Sequence, residues 1–466
     1  MRNTSTPRSA VERVKARPRS YPLSGVIVFA LPITAVLAGV VKFGELSPHA
    51  VTSVLVGLLG LLGILAPKRR IDPVVRAVIL AFVAWSAVTV VHLAFRGIPL
   101  SNEITIAASG LTILFGVAAL QGTRQTFRVF AGGWVIAYGL ACGAAIAEKY
   151  FGYLPRNNYL VLQRGYRVED VGLASFFGNP NGFALFLFAT SVVFVPFVIG
   201  AVRASSRAFF LLLQLSTLVF MLETGSRTGF SLLLIVFAVT WWHALSKHPV
   251  LRVGAVLAFG SAVIVRWLLS MDTITTVTSS GLADDESAVT RLNLALNGVA
   301  FLWSSPLIGI GPGMFEEYMR EGNPPFPTGA MIAPHNGFAE MFSQYGIIVF
   351  LLMVVVFVRL WKRARLDMVG AGAKRDFAYM SGVARILLIA LLPLSVTMHS
   401  SFLGDPSAWM YLAAVIVFDR LVEPERISPH GERLTAAKPE VGSGMSRTRE
   451  RGRYSVPSAS PRAKAR

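Results

Sequence analysis

The stretch "PVVRAVILAFVAWSAVTVVHLAF", residues 73–95, is apolar along almost its whole length. A helix of this length crosses the ~30 Å of hydrocarbon in a bilayer, and it satisfies every backbone polar group internally. The chain contains further runs of this kind, and together they predict an all-α integral membrane protein with about 12 transmembrane helices. Because the last run is short, eleven spans remain the alternative. The predicted spans are 22–41, 48–66, 73–95, 103–121, 129–148, 182–201, 208–223, 229–245, 251–270, 337–360, 379–399 and 406–420.

The composition agrees with a membrane protein and argues against a nucleic-acid partner. Of the 466 residues, 54% are hydrophobic and 15% are charged, and the mean hydropathy is +0.58. The first run is full length and lacks a small-residue cleavage site, so we expect no cleavable signal peptide. The net charge of +19 is concentrated in the tails and in short loops. Positive charge in these places sets the orientation of membrane helices and does not indicate a DNA-binding face. The single cysteine, Cys142, leaves no disulfide or thiolate cluster within one chain.

Lysine and arginine residues alternate between the loops, and this bias predicts the topology. With twelve spans, the basic loops and both tails fall on one side, which is the cytoplasmic side. We therefore expect a basic tail at 1–21, a membrane domain at 22–420 and a disordered tail at 421–466, the tails touching anionic membrane lipids. The basic loop residues are Lys68, Arg69, Arg70, Arg124, Arg128, Arg203, Arg207, Lys247, Arg252, Arg359, Lys362, Arg363, Arg365, Lys374 and Arg375.

Two predicted outward segments, 149–181 and 271–336, are long enough to carry function. In the second, apolar residues recur at helical spacing, which predicts an amphipathic helix lying against the membrane or the mouth of the bundle. The sequence "SSPLIGIGPGMF" then ends this helix. The apolar stripe consists of Val289, Leu292, Leu296, Val299 and Trp303, and the glycines that follow it are Gly309, Gly311 and Gly313.

Several arginines face outward, against the positive-inside tendency. Arg227, in "ETGSRTGF", lies in a short turn near the membrane boundary, where a guanidinium must be solvated, paired or used for an anion. One interpretation is a snorkelling side chain paired with Glu223. The other is an anion clamp, because the guanidinium fork binds phosphate oxygens bidentately. The outward arginines are Arg156, Arg164, Arg167, Arg227, Arg291 and Arg320.

Four histidines, His49, His92, His335 and His399, fall at or near the predicted outer face. His335 is the candidate catalytic residue, because an imidazole near its ordinary pKa can accept a proton from an attacking hydroxyl. The competing interpretation is that Asn336 caps the following helix and His335 merely precedes it.

Two further segments have both structural and functional interpretations. In "FFGNPNGFA", residues 176–184, Asn179 and Asn181 lie at the start of a predicted span, where free backbone N–H groups can hold an anion. The same residues are also typical of an ordinary turn and helix cap. "GIGPG", which contains Gly311, permits an anion nest, but no Walker-type Lys-Ser/Thr follows it, so a turn is favoured. Asp284, Asp285 and Glu286 are typical of a solvated helix start. No metal-ligand motif is present, so we expect no metal site.

In order along the chain, "GNPNGFA", "GSRTG", "TRLNLALNGVAFLWSSPLIGIGPGMF" and "PHNGFAEMFSQYGI" resemble the O-antigen ligase and O-antigen polymerase superfamily over residues 170–400. The resemblance implies a GT-C-like glycosyltransferase of the bacterial inner membrane that needs no metal and no cofactor. Its partners would be an undecaprenyl-diphosphate-linked glycan, an acceptor glycan, lipid or protein hydroxyl, and other polysaccharide-assembly proteins.

By position, His335 matches the family's loop histidine, and Arg227 and Arg291 match arginines linked with the diphosphate. The outward Arg164 and Arg167 are expected to bind the same donor. The residues expected to position the substrate or the backbone are Asn179, Asn181, Asn336 and Gly311.

The sequence departs from the ligase pattern at Val349, where a second glycine after Gly346 is usual. Ligase and polymerase therefore remain alternatives. A flippase for the same lipid-linked sugars is a further alternative, although it predicts polar residues at mid-span, which are sparse. A non-catalytic scaffold is the third alternative, but it leaves the outward arginines unexplained.

Overall fold

The computed structural model describes residues 23–42, 47–65, 71–120, 124–153, 155, 172–200, 203–246, 248–278, 285–322, 324–329, 331–371, 377–398 and 400–420. The predictions for both tails and for Arg156, Arg164, Arg167, Asp284 and His399 lie outside these residues. The helices are α1 (Leu23–Leu37), α2 (Pro48–Leu65), α3 (Pro73–Phe95), α4 (Asn102–Ala119), α5 (Arg124–Phe151), α6 (Pro180–Gly200), α7 (Ala204–Glu223), α8 (Arg227–Ala244), α9 (Pro249–Thr278), α10 (Asp285–Ser304), α11 (Phe315–Glu321), α12 (Gly337–Gly370), α13 (Phe377–Ser395) and α14 (Pro406–Arg420), with a 3-10 turn at Ser175–Phe177.

The predicted all-α class is confirmed, since the described residues contain helices and no strand. Each of the twelve predicted apolar runs overlaps one of these helices. Within the described part of the chain, seven helices are long and apolar enough to cross a membrane: α2, α3, residues 128–151 of α5, α6, α7, α12 and α13. Residues 25–37, 103–119 and 249–262 form shorter apolar helices, so the count of twelve spans stays a prediction.

Helix α6 is apolar on every side and lies at the centre of the bundle. A helix with no polar face can be surrounded by lipid or by other helices, and α6 is surrounded by helices. Phe183, Phe188 and Phe194 are fully buried, and α6 packs against α7, α8, α13 and α14. Elsewhere, small residues allow close helix contacts. A Cβ on Gly57 of α2 would lie 2.5 Å from Cγ2 of Thr112 of α4.

A buried ion network joins α3, α12, α13 and α14 at one end of the bundle. Arg363 contacts Asp72 at 2.7 Å and Asp419 at 2.8 Å. Arg385 contacts Asp419 at 2.6 Å and also pairs with Asp367. Burial raises the pKa of Asp72, but the hydrogen bond and charge of Arg363 outweigh burial, so the pKa of this carboxyl is below its ordinary value. Buried charges of this kind need such pairing.

The opposite end of the bundle, where α12 begins, contains the candidate functional residues. Helix α12 is kinked at Gly346, whose φ of +80° is not helical. Arg363 lies 17 residues beyond this kink, which corresponds to roughly 26 Å of helix. The two ends are therefore separated by most of the ~30 Å hydrocarbon thickness of a bilayer. We call the end at which α12 begins the site end.

Candidate functional site

Three of the sequence motifs meet at the site end. A Cβ on Gly229, near the start of α8, would lie 3.0 Å from Cβ of Ala184 of α6 and 3.0 Å from Cε of Met398. Met398 belongs to the turn after α13, in which the carbonyl of Val396 accepts a 3.0 Å hydrogen bond from the N–H of Gly337. The starts of α6, α8 and α12 are thus packed around one turn of chain.

His335 is held at this junction in an unusual backbone conformation. Its φ is +46°, a left-handed value that is uncommon for residues other than glycine. The backbone N–H of His335 donates to the carbonyl of Ser400 at 2.9 Å, and the residue is half-buried. Strained conformations persist only where the surroundings enforce them, and they cluster at functional sites. The strain therefore supports His335 as a site residue.

Asn336 is the N-cap of α12. Its side-chain Oδ1 accepts from the N–H groups of Phe338 at 3.0 Å and Ala339 at 3.2 Å. The predicted cap is therefore present, and it fixes the backbone immediately after His335. The two interpretations of the His-Asn pair are compatible, because the side chain that caps the helix is that of Asn336.

Glu340, in the first turn of α12, is fully buried and anchors the loop that holds His335. Its carboxylate accepts from Oγ of Ser401 at 2.6 Å, from the N–H of Phe402 at 2.7 Å and from the N–H of Leu403 at 3.1 Å. The N–H of His335 donates to the carbonyl of Ser400, and Ser400 is the residue immediately before these three donors in the chain. Glu340 thus controls the position of His335 through the backbone of the loop.

A second carboxyl group, Glu103 at the start of α4, completes this cluster. Oγ of Ser401 lies 3.4 Å from Oε1 of Glu103 and 2.6 Å from Oε1 of Glu340. One serine of the loop therefore contacts both carboxyl groups.

Replacing Glu340 with alanine is expected to release this loop. Three donors would lose their acceptor, and each unsatisfied buried donor costs about 1–3 kcal/mol. We expect a lower thermal unfolding midpoint and a lower rate of the reaction proposed below. Glu340→Gln keeps one acceptor oxygen and should lose less of both.

The matched control for this variant is Glu317→Ala, which removes an exposed carboxylate from α11. A surface change of this kind alters stability by about 0.5 kcal/mol or less. If Glu340→Ala and Glu317→Ala gave the same midpoint and rate, the anchoring role of Glu340 would be refuted.

The glycine loop around Gly311 has a structural role. The N–H groups of Ile310 and Gly311 donate to the carbonyls of Ser343 at 2.8 Å and Gln344 at 3.1 Å, and the N–H of Gly313 donates to Oε1 of Gln344 at 2.6 Å. These donors are therefore unavailable for an anion nest. Gly311 has a φ of +120°, which disfavours any other residue there.

His92 fixes the same loop rather than contributing to catalysis. Its Nε2 lies 2.9 Å from the carbonyl of Ile308, and a Cβ on Gly311 would lie 3.2 Å from its Nδ1. The side chain is fully buried. This histidine therefore ties α3 to the loop that precedes α11.

Arg227 is the first residue of α8, and the structure decides against one of its two interpretations, the pairing with Glu223. Glu223 is paired with Lys149 of α5 at 2.7 Å, not with Arg227. Ser226 caps α8 by accepting from the N–H of Gly229 at 3.3 Å. Arg227 is exposed, and its guanidinium has no partner within the described part of the chain. The guanidinium is therefore available to an anionic ligand at the site end.

Arg291 lies on the side of α10 that faces the start of α12. Gly298, seven residues later and hence on the same helix face, would place a Cβ 3.0 Å from Cβ of Ala339. Arg291 is exposed and, two turns from Gly298, is about 10 Å along the helix from that contact. Among the described residues its guanidinium also has no partner.

Helix α10 organises the chain that leads to His335. Asn297 is fully buried; its Nδ2 donates to the carbonyl of Phe326 at 2.8 Å, and its Oδ1 accepts from the N–H of Phe326 at 3.0 Å. Asn293, one turn earlier, donates to the carbonyl of Pro327 at 2.8 Å.

The segment before α6 is anchored in a similar way. Oδ1 of Asn179 accepts from the N–H of Gly182 at 2.8 Å, so Asn179 caps the first turn, while Asn181 is half-buried on that turn. Glu148 of α5 is buried and accepts from the N–H groups of Ala174 at 3.2 Å and Ser175 at 2.8 Å. The position of Asn179 is therefore explained by its role as a helix cap.

Three glutamates that shape the site were not among the residues predicted from the sequence: Glu103, Glu148 and Glu340. A signal for them existed, because an ionisable residue inside an apolar membrane helix is costly and therefore calls for a specific partner. Their partners are backbone N–H groups of loops distant in sequence, which sequence spacing does not indicate.

Comparison with known protein families gives a match over part of the chain. The sequence model described as O-antigen ligase matches residues 192–354. The match contains Arg227, Arg291 and His335, and it confirms the resemblance over that region. A search of curated proteins gave no match.

Proposed function

We propose, on the premise that residues 192–354 belong to the O-antigen ligase family, that this membrane protein transfers a glycan from an undecaprenyl-diphosphate carrier to an acceptor hydroxyl at the outer face of the bacterial inner membrane. One observation supports this most strongly. A strained histidine lies at the site end, and two helices that each carry an unpaired arginine pack around the same junction. The product would be a surface polysaccharide or exopolysaccharide.

The proposed reaction is displacement at the anomeric carbon. The acceptor oxygen forms the new glycosidic bond, the bond from the anomeric carbon to the diphosphate oxygen breaks, and the configuration inverts. His335 accepts the proton from the acceptor hydroxyl, because imidazole titrates near neutral pH. The diphosphate leaves with both electrons of the broken bond and needs little protonation.

Arg227 and Arg291 would stabilise the negative charge that develops on the leaving diphosphate. A guanidinium that contacts the leaving oxygens stabilises this charge through its own positive charge and through bidentate hydrogen bonds. The charge of the two arginines performs the task that a metal ion performs in other diphosphate chemistry, so the proposed mechanism uses neither metal nor cofactor. Arg164 and Arg167, outside the described residues, are proposed to contact the same donor.

Incubation of the purified protein with a lipid-linked oligosaccharide and an acceptor tests the proposal. A new glycosidic linkage that forms equally well in the presence of a chelator supports metal-independent transfer. Movement of the oligosaccharide across the membrane without a new linkage would indicate a flippase. If neither a new linkage nor movement across the membrane occurred, the protein would be a non-catalytic scaffold. The flippase result and the scaffold result would each overturn the proposed function.

Replacing Arg227 or Arg291 with alanine is expected to lower kcat/KM for the lipid-linked donor by about 10²-fold, the usual effect of removing one transition-state donor. Lysine keeps the charge but loses the bidentate fork, so we expect the lysine variants to recover only part of the rate. Initial rates over a range of donor concentrations provide the measurement.

Arg320→Ala is the matched control for the arginine variants. Arg320 is also predicted to face outward and is exposed, but it pairs with Glu316 at 3.5 Å on α11. If all three alanine variants lost the same activity, a general charge effect would explain the result, and the specific roles of Arg227 and Arg291 would be rejected.

A further inference from the structure

Helix α10 has two different apolar faces, and only one of them contacts the rest of the protein. The packed face carries Leu294 and Phe301, which form a small core with Ile310, Phe315 and Met319. Asn297 and Gly298 lie on the same side, and all four α10 residues are buried. This face is sufficient to attach α10 to α11 and α12.

The other face of α10 is apolar and exposed. Val289 is 53% exposed, Leu292 59%, Val299 39% and Trp303 76%. At 100° per residue these four side chains fall on one stripe, opposite the packed face. An exposed apolar stripe of this length on a helix marks an interaction surface.

The exposed stripe continues onto a helix that is long and apolar enough to cross a membrane. Leu307, 61% exposed, follows α10, and its carbonyl lies so close to Gly346 of α12 that a Cβ there would overlap it. The carbonyl of Pro306 accepts from the N–H of Ile347 at 2.9 Å. The next residues on α12, Ile348 and Leu351, are 46% and 52% exposed.

We infer that α10 lies in the membrane interface, with Val289, Leu292, Val299 and Trp303 immersed at the acyl-chain boundary of the leaflet at which α12 begins. The continuity with Ile348 and Leu351 makes lipid the occupant, because the same lipid that covers α12 also reaches the stripe. Tryptophan is the residue type most typical of this depth, and an amphipathic helix binds there through its apolar face.

This placement has a consequence for Arg291 that rests on the proposed function. Arg291 precedes Leu292 and projects about 100° away from the stripe. With Leu292 among acyl chains, the guanidinium lies at the level of the headgroups, which is also the depth of the diphosphate of a membrane-embedded lipid carrier. The position of α10 in the interface thus determines the membrane depth at which Arg291 contacts the diphosphate of the donor.

Spin labels on single cysteines test the membrane contact independently of any enzymatic activity. The only native cysteine, Cys142, is buried, so the background is Cys142→Ser. Labels are placed through Leu292→Cys, Val299→Cys and Trp303→Cys, with Leu351→Cys as the lipid-exposed reference and Glu317→Cys as the aqueous reference. The full chain is reconstituted in vesicles of phosphatidylethanolamine and phosphatidylglycerol.

The readout is the collision rate of each label with oxygen, which partitions into lipid, relative to a water-soluble nickel chelate. We expect oxygen to dominate at the three stripe positions, as at Leu351, and the nickel chelate to dominate at Glu317. Dominance of the nickel chelate along the stripe would overturn the inference. Protection from both reagents, with dipolar broadening between labels on different molecules, would also overturn it by showing a second copy on this face.

Discussion

Replacing His335 with alanine is expected to lower the rate of glycan transfer by about 10²–10⁴-fold, the usual contribution of a positioned general base. The imidazole is the group that accepts the proton of the acceptor hydroxyl in the proposed mechanism. The variant should still fold, because the residue is only half-buried. The measurement is the initial rate of glycosidic bond formation with purified protein, together with its thermal unfolding midpoint.

The backbone conformation of His335 makes a second variant informative. At a φ of +46° alanine is strained, whereas glycine adopts this conformation freely. Activity lost in His335→Ala but recovered in His335→Gly would mean that only the backbone matters. We expect the glycine variant to remain inactive and to respond to imidazole added to the buffer.

His248→Ala, which removes an exposed histidine outside the site, is the control for any general effect of losing a histidine. Full transfer by both His335 variants would exclude His335 from the mechanism. The Arg227 and Arg291 variants would then decide separately whether the remaining proposal is correct.

The sequence predicted the helices well because the bilayer imposes a length and an apolar composition that can be counted. It also predicted the cap at Asn336, since a cap depends on residues within one turn. Pairing of Arg227 with Glu223 was one of two interpretations that the sequence left open, and the structure decides against it for a local geometric reason. Helix α7 ends at Glu223, and Gly225, with a φ of +68°, reverses the chain. Glu223 can then meet Lys149 of α5 instead.

The anchors of the site were not predictable from the sequence because they join distant segments. Glu340 binds the amides of Phe402 and Leu403, and Asn297 binds the backbone of Phe326. Both sets of contacts use main-chain groups, which leave no sequence pattern in the partner. Helical spacing revealed the apolar stripe of α10, but spacing alone does not say whether such a stripe packs inward or faces lipid.

Replacing Asp419 with alanine is expected to destabilise the bundle strongly. Asp419 is fully buried, and each of its carboxylate oxygens accepts from a different guanidinium, Arg363 at 2.8 Å and Arg385 at 2.6 Å. Removing one partner of a buried ion pair costs about 3–5 kcal/mol. We expect a loss at the lower end of this range, because Arg363 keeps its contact with Asp72 and Arg385 keeps its contact with Asp367. The thermal unfolding midpoint in detergent measures this loss.

Asp419→Asn separates charge from hydrogen bonding in this network. Asparagine keeps one acceptor oxygen, so it should recover part of the midpoint lost in alanine, while the missing negative charge keeps it below the wild type. Glu317→Ala, which removes an exposed carboxylate, should leave the midpoint nearly unchanged. A midpoint for Asp419→Ala equal to that of Glu317→Ala would show that the four helices hold together without the network. A large drop in the midpoint of the Asp419 variant, together with normal transfer by the protein that remains folded, would show that the network stabilises the bundle without participating in the chemistry at the site end.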